Sequence, residues 1–128
     1  MSDKKTALVI SAHSADFVWR AGGAIALHQA KGYDVTVVCL SYGERGESAK
    51  LWKQKGMTLE KVKTERRKEA ENAAVALGIN DIRFFDVGDY PLDLERNTQD
   101  RMVDVIREVQ PKFMMSHSKW DPYNTDHM

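Results

Sequence analysis

Thr6-Ala-Leu-Val-Ile10-Ser-Ala-His13-Ser-Ala15-Asp16-Phe17 is the stretch of sequence that decides the fold. Its apolar first half predicts a buried strand over residues 6–12. His13 and Asp16 lie three residues apart at the carboxyl end of that strand, where open α/β sheets place their ligands. Imidazole and carboxylate groups both bind divalent metals. The stretch therefore predicts the first strand of an α/β sheet and part of a metal site.

A second polar cluster closes the chain and follows another apolar segment. It reads His117-Ser-Lys-Trp-Asp121-Pro-Tyr123-Asn124-Thr-Asp126-His127. We predict that His13, Asp16 and His127 bind one divalent metal, because two nitrogens and one carboxylate oxygen leave an open position, as in catalytic zinc sites. The same ligands also suit iron, cobalt or manganese. The alternative is that His13 caps a turn and His127 is a tail residue.

Strand-like and helix-like segments alternate along the whole chain. The predicted strands are 6–12, 34–41, 81–86 and 112–117, and the predicted helices are 18–31, 59–77 and 97–109. The first helix is expected to pack through one face made of Trp19, Gly22, Gly23, Ala26 and Ala30. The last helix has core spacing at Met102, Val105, Ile106 and Val109. This order predicts a mainly parallel sheet with right-handed crossovers.

Composition limits the kinds of partner that the protein is expected to bind and the compartment in which it is expected to work. The 128 residues suggest one domain, and 19 basic and 19 acidic residues give no net charge. This balance argues against nucleic acid or a membrane surface as a partner and leaves a homo-oligomer open. The single cysteine, Cys39, lies in an apolar run and is expected to be a buried core thiol. No apolar span or signal peptide is evident, which favours a cytoplasmic location.

Motifs along most of the chain carry a resemblance to one family. They are Ala12-His13-x-x-Asp16, Gly22-Gly23, Gly43-Glu44-x-Gly46, Arg66-x-x-Glu69, Leu77-Gly78, Asp121 and Asp126-His127. This pattern resembles the LmbE/PIG-L family of zinc-dependent de-N-acetylases. The resemblance implies a Rossmann-like three-layer α/β/α fold and a Zn²⁺ ion bound by His13, Asp16 and His127. Family members usually run on further, so we expect residues 1–128 to be a single LmbE-like metal-dependent domain, truncated at its carboxyl end.

One position departs from the family pattern. The family motif reads Ala-His-Pro-Asp-Asp-Glu, and its first Asp is the general base; here that position is Ala15, between Ser14 and Asp16. An alanine cannot accept a proton, so ordinary amide hydrolysis is not expected. The altered motif resembles the branch of 4-oxalomesaconate (4-carboxy-2-hydroxymuconate) hydratases. That branch implies a hydro-lyase that adds water to an unsaturated keto polycarboxylate in the breakdown of aromatic acids.

Two other functions are compatible with the sequence. One is a zinc-dependent de-N-acetylase of an amino sugar or related amide, with a substitute base. The other is an inactive metal-binding or interaction domain. Ala15 discriminates between the first two classes, because hydrolysis requires a carboxylate at that position and hydration does not.

A hydratase needs its proton acceptor from another part of the chain. Glu44 and Glu47 lie in the loop after the second predicted strand, and one of them is predicted to be the base. The alternative is a solvated loop carboxylate. His117 ends the last strand and is either an acid–base group or a buried structural histidine.

A polycarboxylate substrate requires cationic side chains. Arginine binds carboxylates through two parallel hydrogen bonds, and the candidates are Arg45, which is best placed, Arg20, Arg66 and Arg67. Pairing with Glu69 along a helix explains Arg66 equally well. Tyr123 and Asn124 are expected to line the pocket, whereas Trp52 is assigned to packing.

Overall fold

The computed structural model describes residues 5–88 and 92–118. In chain order the elements are β1 (Thr6–Ser11), α1 (Asp16–Trp19), α2 (Gly22–Ala30), β2 (Asp34–Cys39), α3 (Ala49–Trp52), α4 (Leu59–Ala76), β3 (Asp81–Phe84), α5 (Arg96–Val109) and β4 (Phe113–Met115). The four strands are parallel and lie in the order β3-β2-β1-β4. The predicted parallel sheet is confirmed, and β1 lies inside it between β2 and β4.

Alternating side chains of the strands build a core on each face of the sheet. One core joins β1 and β2 to α1, α2 and α4, through Ala7, Val9, Phe17, Ile25, Val35, Val37, Cys39, Ala70, Ala74 and Ile79. The other core joins the same two strands to α5, through Leu8, Val38, Leu40, Phe85 and Val105, with Met102, Ile106 and Val109 packed against them. The three-layer α/β/α arrangement and the core spacing of the last helix are therefore confirmed.

The predicted helix over residues 18–31 is wrong in its bounds and in its packing face. The chain leaves helical geometry at Ala21, with φ −129° and ψ 2°, so that α1 and α2 are separate. Two consecutive glycines follow, and glycine is a poor helix former. Because the break changes the helical register, Trp19 is 66% exposed, and Ile25 is the residue that α2 buries. Ala26 and Ala30 are exposed as well.

Of the remaining predictions, the burial of the cysteine is confirmed and some element bounds differ. Cys39 is fully buried in the core, as expected, and burial raises the pKa of its thiol well above the ordinary value. The third and fourth strands end earlier than predicted, at Phe84 and Met115. The loop after the second predicted strand is followed by the short helix α3, which the sequence did not predict. Within residues 5–88 and 92–118, no helix is long and apolar enough to cross a membrane.

Candidate metal centre and active site

The candidate site begins where β1 ends. Backbone bonds of 2.9 Å from Leu40 and Ser41 to the carbonyls of Ser11 and Ala12 continue the pairing of β1 and β2 past the strands. The chain then turns into α1, and the backbone N–H of His13 donates to Asp16 Oδ2 at 3.0 Å. Both side chains are buried, with relative exposures of 0% and 1%. The turn thus brings the two predicted ligands together at the carboxyl edge of the sheet.

The loop after β2 is tied to the same edge by serine hydroxyls. Ser41 Oγ donates to Ala12 O at 2.9 Å, and Ser14 Oγ donates to Tyr42 O at 2.9 Å. Ser48 Oγ donates to Gly43 O at 2.7 Å, which closes the loop upon itself. These bonds fix residues 41–48 beside the end of β1. We call this segment the Ser41–Ser48 loop.

The Ser41–Ser48 loop delivers a carboxylate to the buried histidine. Glu47 Oε1 lies 3.3 Å from His13 Nδ1, and Asp16 Oδ2 lies 3.5 Å from the same nitrogen. One ligand atom from each of these three residues lies within 4.8 Å of the other two. An ion held about 2.0–2.2 Å from nitrogen and oxygen fits this spacing. The donor set therefore suits a divalent metal, and His127, the third predicted ligand, lies outside the described residues.

His117 extends the cluster from the end of β4. Its Nε2 lies 3.0 Å from the backbone nitrogen of Ala12 and 3.4 Å from Asp16 Oδ2. An unprotonated Nε2 accepts from Ala12, whereas a protonated Nε2 donates to Asp16, since one nitrogen cannot do both at once. This histidine is thus placed both to hold the end of β1 and to contact a predicted metal ligand.

The electrostatics of Asp16 favour its ionised form. Burial is the largest influence on the pKa of this carboxyl and raises it. Hydrogen bonds from His117 and His13 act in the opposite direction and outweigh burial, so that the pKa lies well below its ordinary value. An ionised carboxylate is the form that binds a metal.

The two candidate glutamates occupy different environments. Glu47 is 25% exposed and faces His13. Glu44 is 1% exposed, and its Oε1 accepts from the backbone N–H of Tyr42 at 3.1 Å. The structure therefore brings Glu47, and not Glu44, into the group of possible metal-binding atoms found among the described residues. Nothing in the sequence distinguished the two.

The alanine at position 15 borders a small hollow between α1 and α4. Ser14, Val18, Arg66 and Ala70 also line this hollow. Ala15 carries no group that could accept a proton at the point between His13 and Asp16. Of the two glutamates on the Ser41–Ser48 loop, Glu47 is the one whose carboxylate contacts His13.

The four predicted arginines have different surroundings. Arg66 Nε donates to Tyr42 O at 3.2 Å, and its Nη1 donates to Glu69 Oε2 at 3.2 Å. Its Nη2 lies 4.0 Å from Glu47 Oε2, so this guanidinium approaches the site as well as pairing along its helix. Arg45 is exposed on the Ser41–Ser48 loop.

Arg20 is exposed, and its guanidinium stacks 4.6 Å from the ring centroid of Trp19. It borders a cleft of about 600 Å³ whose lining includes Asp16 and His117. Arg67 lies over the ring of Phe84, at 4.8 Å from its centroid, rather than at the cluster. Tyr123 and Asn124 lie outside the described residues.

Sequence reasoning missed one contact at this site. Trp52, which was assigned to packing, donates its indole N–H to the carbonyl of Glu44 at 2.6 Å. No spacing rule connects residues eight apart across a loop and a short helix, so this contact had no sequence signal.

The class of protein follows from the comparison with known families. The family described as PIG-L, GlcNAc-PI de-N-acetylase, matches residues 8–128. The chain belongs to this family, as the sequence resemblance indicated.

Particular relatives refine this placement. The 4-oxalmesaconate hydratase of Pseudomonas putida is 62% identical over 124 residues, which are 97% of this chain and 48% of that protein. The crystal structure of GalB, the 4-carboxy-2-hydroxymuconate hydratase of Pseudomonas putida, matches with a TM-score of 0.92 at 63% identity, covering 96% of this chain and 51% of GalB.

A deacetylase structure is similar at lower identity. The N,N'-diacetylchitobiose deacetylase of Pyrococcus horikoshii matches with a TM-score of 0.85 at 28% identity, covering 98% of this chain and 46% of that protein. The chain thus spans about half the length of these relatives. The two solved structures confirm the predicted α/β fold. The high identity to the two hydratases confirms the resemblance to that branch.

Proposed function

We propose that this protein is a metal-dependent hydro-lyase that adds water to a carbon–carbon double bond of an unsaturated keto polycarboxylate of the 4-oxalomesaconate type. The observation that carries the proposal is the 62% identity to 4-oxalmesaconate hydratase over 97% of the chain. The reaction belongs to the breakdown of aromatic acids, and we place it in the cytoplasm. The substrate is a small molecule, and no nucleic acid or membrane takes part.

The proposed metal is Zn²⁺, held by His13 and Asp16 with His127 as the third ligand. The imidazole and ionised carboxylate found at the end of β1 are suitable donors for this ion. When bound, the ion supplies a Lewis acid that polarises the keto acid or lowers the pKa of water.

Glu47 is the proposed base. Its carboxylate lies 3.3 Å from His13 Nδ1 and is partly exposed, so a water molecule can reach it. Glu47 accepts one proton from water while the hydroxyl oxygen bonds to one carbon of the double bond. A proton delivered to the neighbouring carbon completes the addition, and His117, beside Asp16, is the proposed donor. Glu47 is then left protonated and His117 deprotonated, and the transfer of one proton from Glu47 to His117 through solvent restores both groups.

Arginines are the proposed partners of the substrate carboxylates. Arg45 extends from the Ser41–Ser48 loop, and Arg20 borders the cleft that reaches Asp16 and His117. Guanidinium groups bind carboxylates through paired hydrogen bonds. Tyr123 and Asn124 are proposed to complete this pocket.

A de-N-acetylase is the second candidate, and the likeness to N,N'-diacetylchitobiose deacetylase favours it. Ala15 argues against it, because no carboxylate stands between His13 and Asp16. A positioned base contributes about 10²–10⁴-fold to such a reaction. We therefore expect negligible hydrolysis of N-acetyl sugars.

One assay separates the two functions. The purified full-length protein is mixed with muconate-type polycarboxylates and, separately, with N-acetyl sugars, each with and without a chelator. We expect loss of the absorbance of the conjugated acid, abolished by the chelator and restored by zinc, and no release of acetate. Turnover of an N-acetyl sugar without hydration would overturn the proposal, and the absence of both reactions with zinc bound would favour an inactive domain.

A further inference from the structure

The proposed base leaves one buried carboxylate of the Ser41–Ser48 loop without a chemical task. Glu44 is 1% exposed, so water does not stabilise its side chain. Burying a carboxylate is costly unless hydrogen bonds compensate. A glutamate buried at this position is therefore expected to form hydrogen bonds that stabilise the loop.

Two hydrogen bonds hold Glu44, one to its side chain and one to its backbone. Its side-chain Oε1 accepts from the backbone N–H of Tyr42 at 3.1 Å. Its backbone carbonyl accepts from the indole N–H of Trp52 at 2.6 Å. The first bond folds the side chain back over the start of the loop, and the second ties the loop to the end of α3.

Glu47 lies on the same turn as Glu44. Gly43, between Tyr42 and Glu44, adopts a left-handed conformation with φ +67°. The chain then closes one turn, in which the N–H of Glu47 donates to Gly43 O at 3.2 Å. Glu44 is directed inward at the start of this turn, and Glu47 leaves it toward His13. Glu44 and Glu47 thus lie on the same turn, and the side chain of each is held by a different contact.

We infer that Glu44 is a positioning residue, which holds the Ser41–Ser48 loop so that the carboxylate of Glu47 faces His13. The inference rests on the proposed role of Glu47 as the base. Glu44 itself accepts no proton in the reaction, since its carboxylate is bound within its own loop.

The test compares variants of the full-length protein that separate charge from hydrogen bonding. Glu44→Gln keeps an oxygen that can accept from Tyr42 and removes the charge. Glu44→Ala removes the acceptor, and Trp52→Phe removes the second anchor. Glu65→Ala, an exposed glutamate on α4, is the control for loss of a charge.

We expect Glu44→Gln and Glu65→Ala to keep kcat within about threefold of the wild-type value. Glu44→Ala should lower kcat about tenfold or more, with zinc content unchanged and KM altered little, and Trp52→Phe should lower kcat in the same way. The double variant Glu44→Ala/Glu47→Gln should be no slower than Glu47→Gln alone, because a residue that acts through another adds nothing once that other is removed.

Crystal structures of the variants provide a measurement independent of turnover. Glu47 should move out of hydrogen-bond range of His13 in Glu44→Ala and stay in place in Glu44→Gln. If Glu44→Gln lowers kcat as much as Glu44→Ala does, while Glu47→Gln lowers it little, then Glu44 is the base and the inference is wrong. The inference is also wrong if Glu47 stays in place in the structure of Glu44→Ala. If the wild-type protein hydrates nothing, the proposed function fails, and the structures still decide the inference. If Glu44→Ala does not fold, Trp52→Phe takes its place in both measurements.

Discussion

At the scale of single residues, Gly43 has crowded surroundings. Its φ of +67° lies in the left-handed region, and a Cβ there would stand 3.1 Å from Glu47 Oε2 and 3.2 Å from Glu47 Cβ. Gly56 has a similar φ of +78°, but a Cβ there would meet nothing within 4 Å. A comparison of alanine substitutions at Gly43 and Gly56 therefore separates the effect of backbone strain from the effect of displacing Glu47.

We predict that Gly43→Ala and Gly56→Ala each lower the free energy of unfolding by about 1 kcal/mol, the cost of a left-handed conformation for alanine. Only Gly43→Ala should also lower kcat, about tenfold, because its new methyl group pushes Glu47 away from His13. Urea unfolding and the hydration assay measure the two effects. Equal turnover of the two variants would show that Glu47 tolerates displacement.

The residue scale also shows how much of the site could be predicted. His13 and Asp16 were predictable, because a spacing of three residues after a buried strand places both side chains on one turn. The choice between Glu44 and Glu47 was not, since it depends on the conformation of Gly43 and on the bond from Trp52. Both are properties of the folded loop and leave no periodic pattern in the sequence.

At the scale of secondary-structure elements, a charged network connects β3 to β2 and α5. Arg83 donates to Asp81 at 3.1 and 2.9 Å and also contacts Glu108, while Thr36 Oγ1 donates to Asp81 at 3.1 Å. The hydrogen bond from Arg83 is the main cause that holds the pKa of Asp81 below its usual value, against the opposing effect of burial. The network therefore stabilises the edge of the sheet in a pH-dependent way.

We predict that Asp81→Asn makes the free energy of unfolding depend less on pH in the acid range. A carboxyl whose pKa is lower in the folded state stabilises the protein above its unfolded pKa, and that contribution is lost as the pH falls through the folded pKa. The wild-type protein should therefore lose more stability than Asp81→Asn between about pH 5 and pH 3, by less than about 1 kcal/mol because the pair is partly exposed. Urea unfolding over this range measures the difference.

The control for this effect is Asp104→Asn, which removes an exposed carboxylate on α5. It should follow the wild-type curve, and 1 M NaCl should shrink the difference between the wild-type protein and Asp81→Asn by screening. Parallel curves for all three proteins would show that Asp81 contributes nothing to stability.

The elements themselves were predictable to different degrees. The strand over 34–41 was clear because β-branched residues fill it, and β2 occupies Asp34–Cys39. The helix over 18–31 was not, because apolar and small residues continue through the break at Ala21. Phe17 and Ile25 lie in one core on either side of the break, and this tertiary contact is not contained in a window of sequence, although the pair Gly22-Gly23 is.

At the scale of the whole molecule, the candidate site joins segments far apart in the chain. His13 follows β1, Glu47 follows β2, and His117 follows β4, and all three strands end at one edge of the sheet. The parallel order of the strands produces this convergence, so the location of the site could be predicted from the alternation of strands and helices. An ion bound there contacts segments that come together only in the folded chain.

We predict that zinc stabilises the full-length protein through His13. A ligand that binds only the folded state adds about 2.7 kcal/mol to the free energy of unfolding when its concentration is about 100 times its Kd. Thermal unfolding with zinc and with a chelator should therefore show a higher Tm for the zinc form of the wild-type protein, and elemental analysis should find one bound metal per chain. His13→Ala should lose both the Tm shift and the metal.

His28→Gln is the control, because this histidine packs on Tyr33 and Phe113. Its Tm should fall both with zinc and with the chelator, while the difference between the two conditions remains. A full zinc shift in His13→Ala would place the metal elsewhere in the molecule.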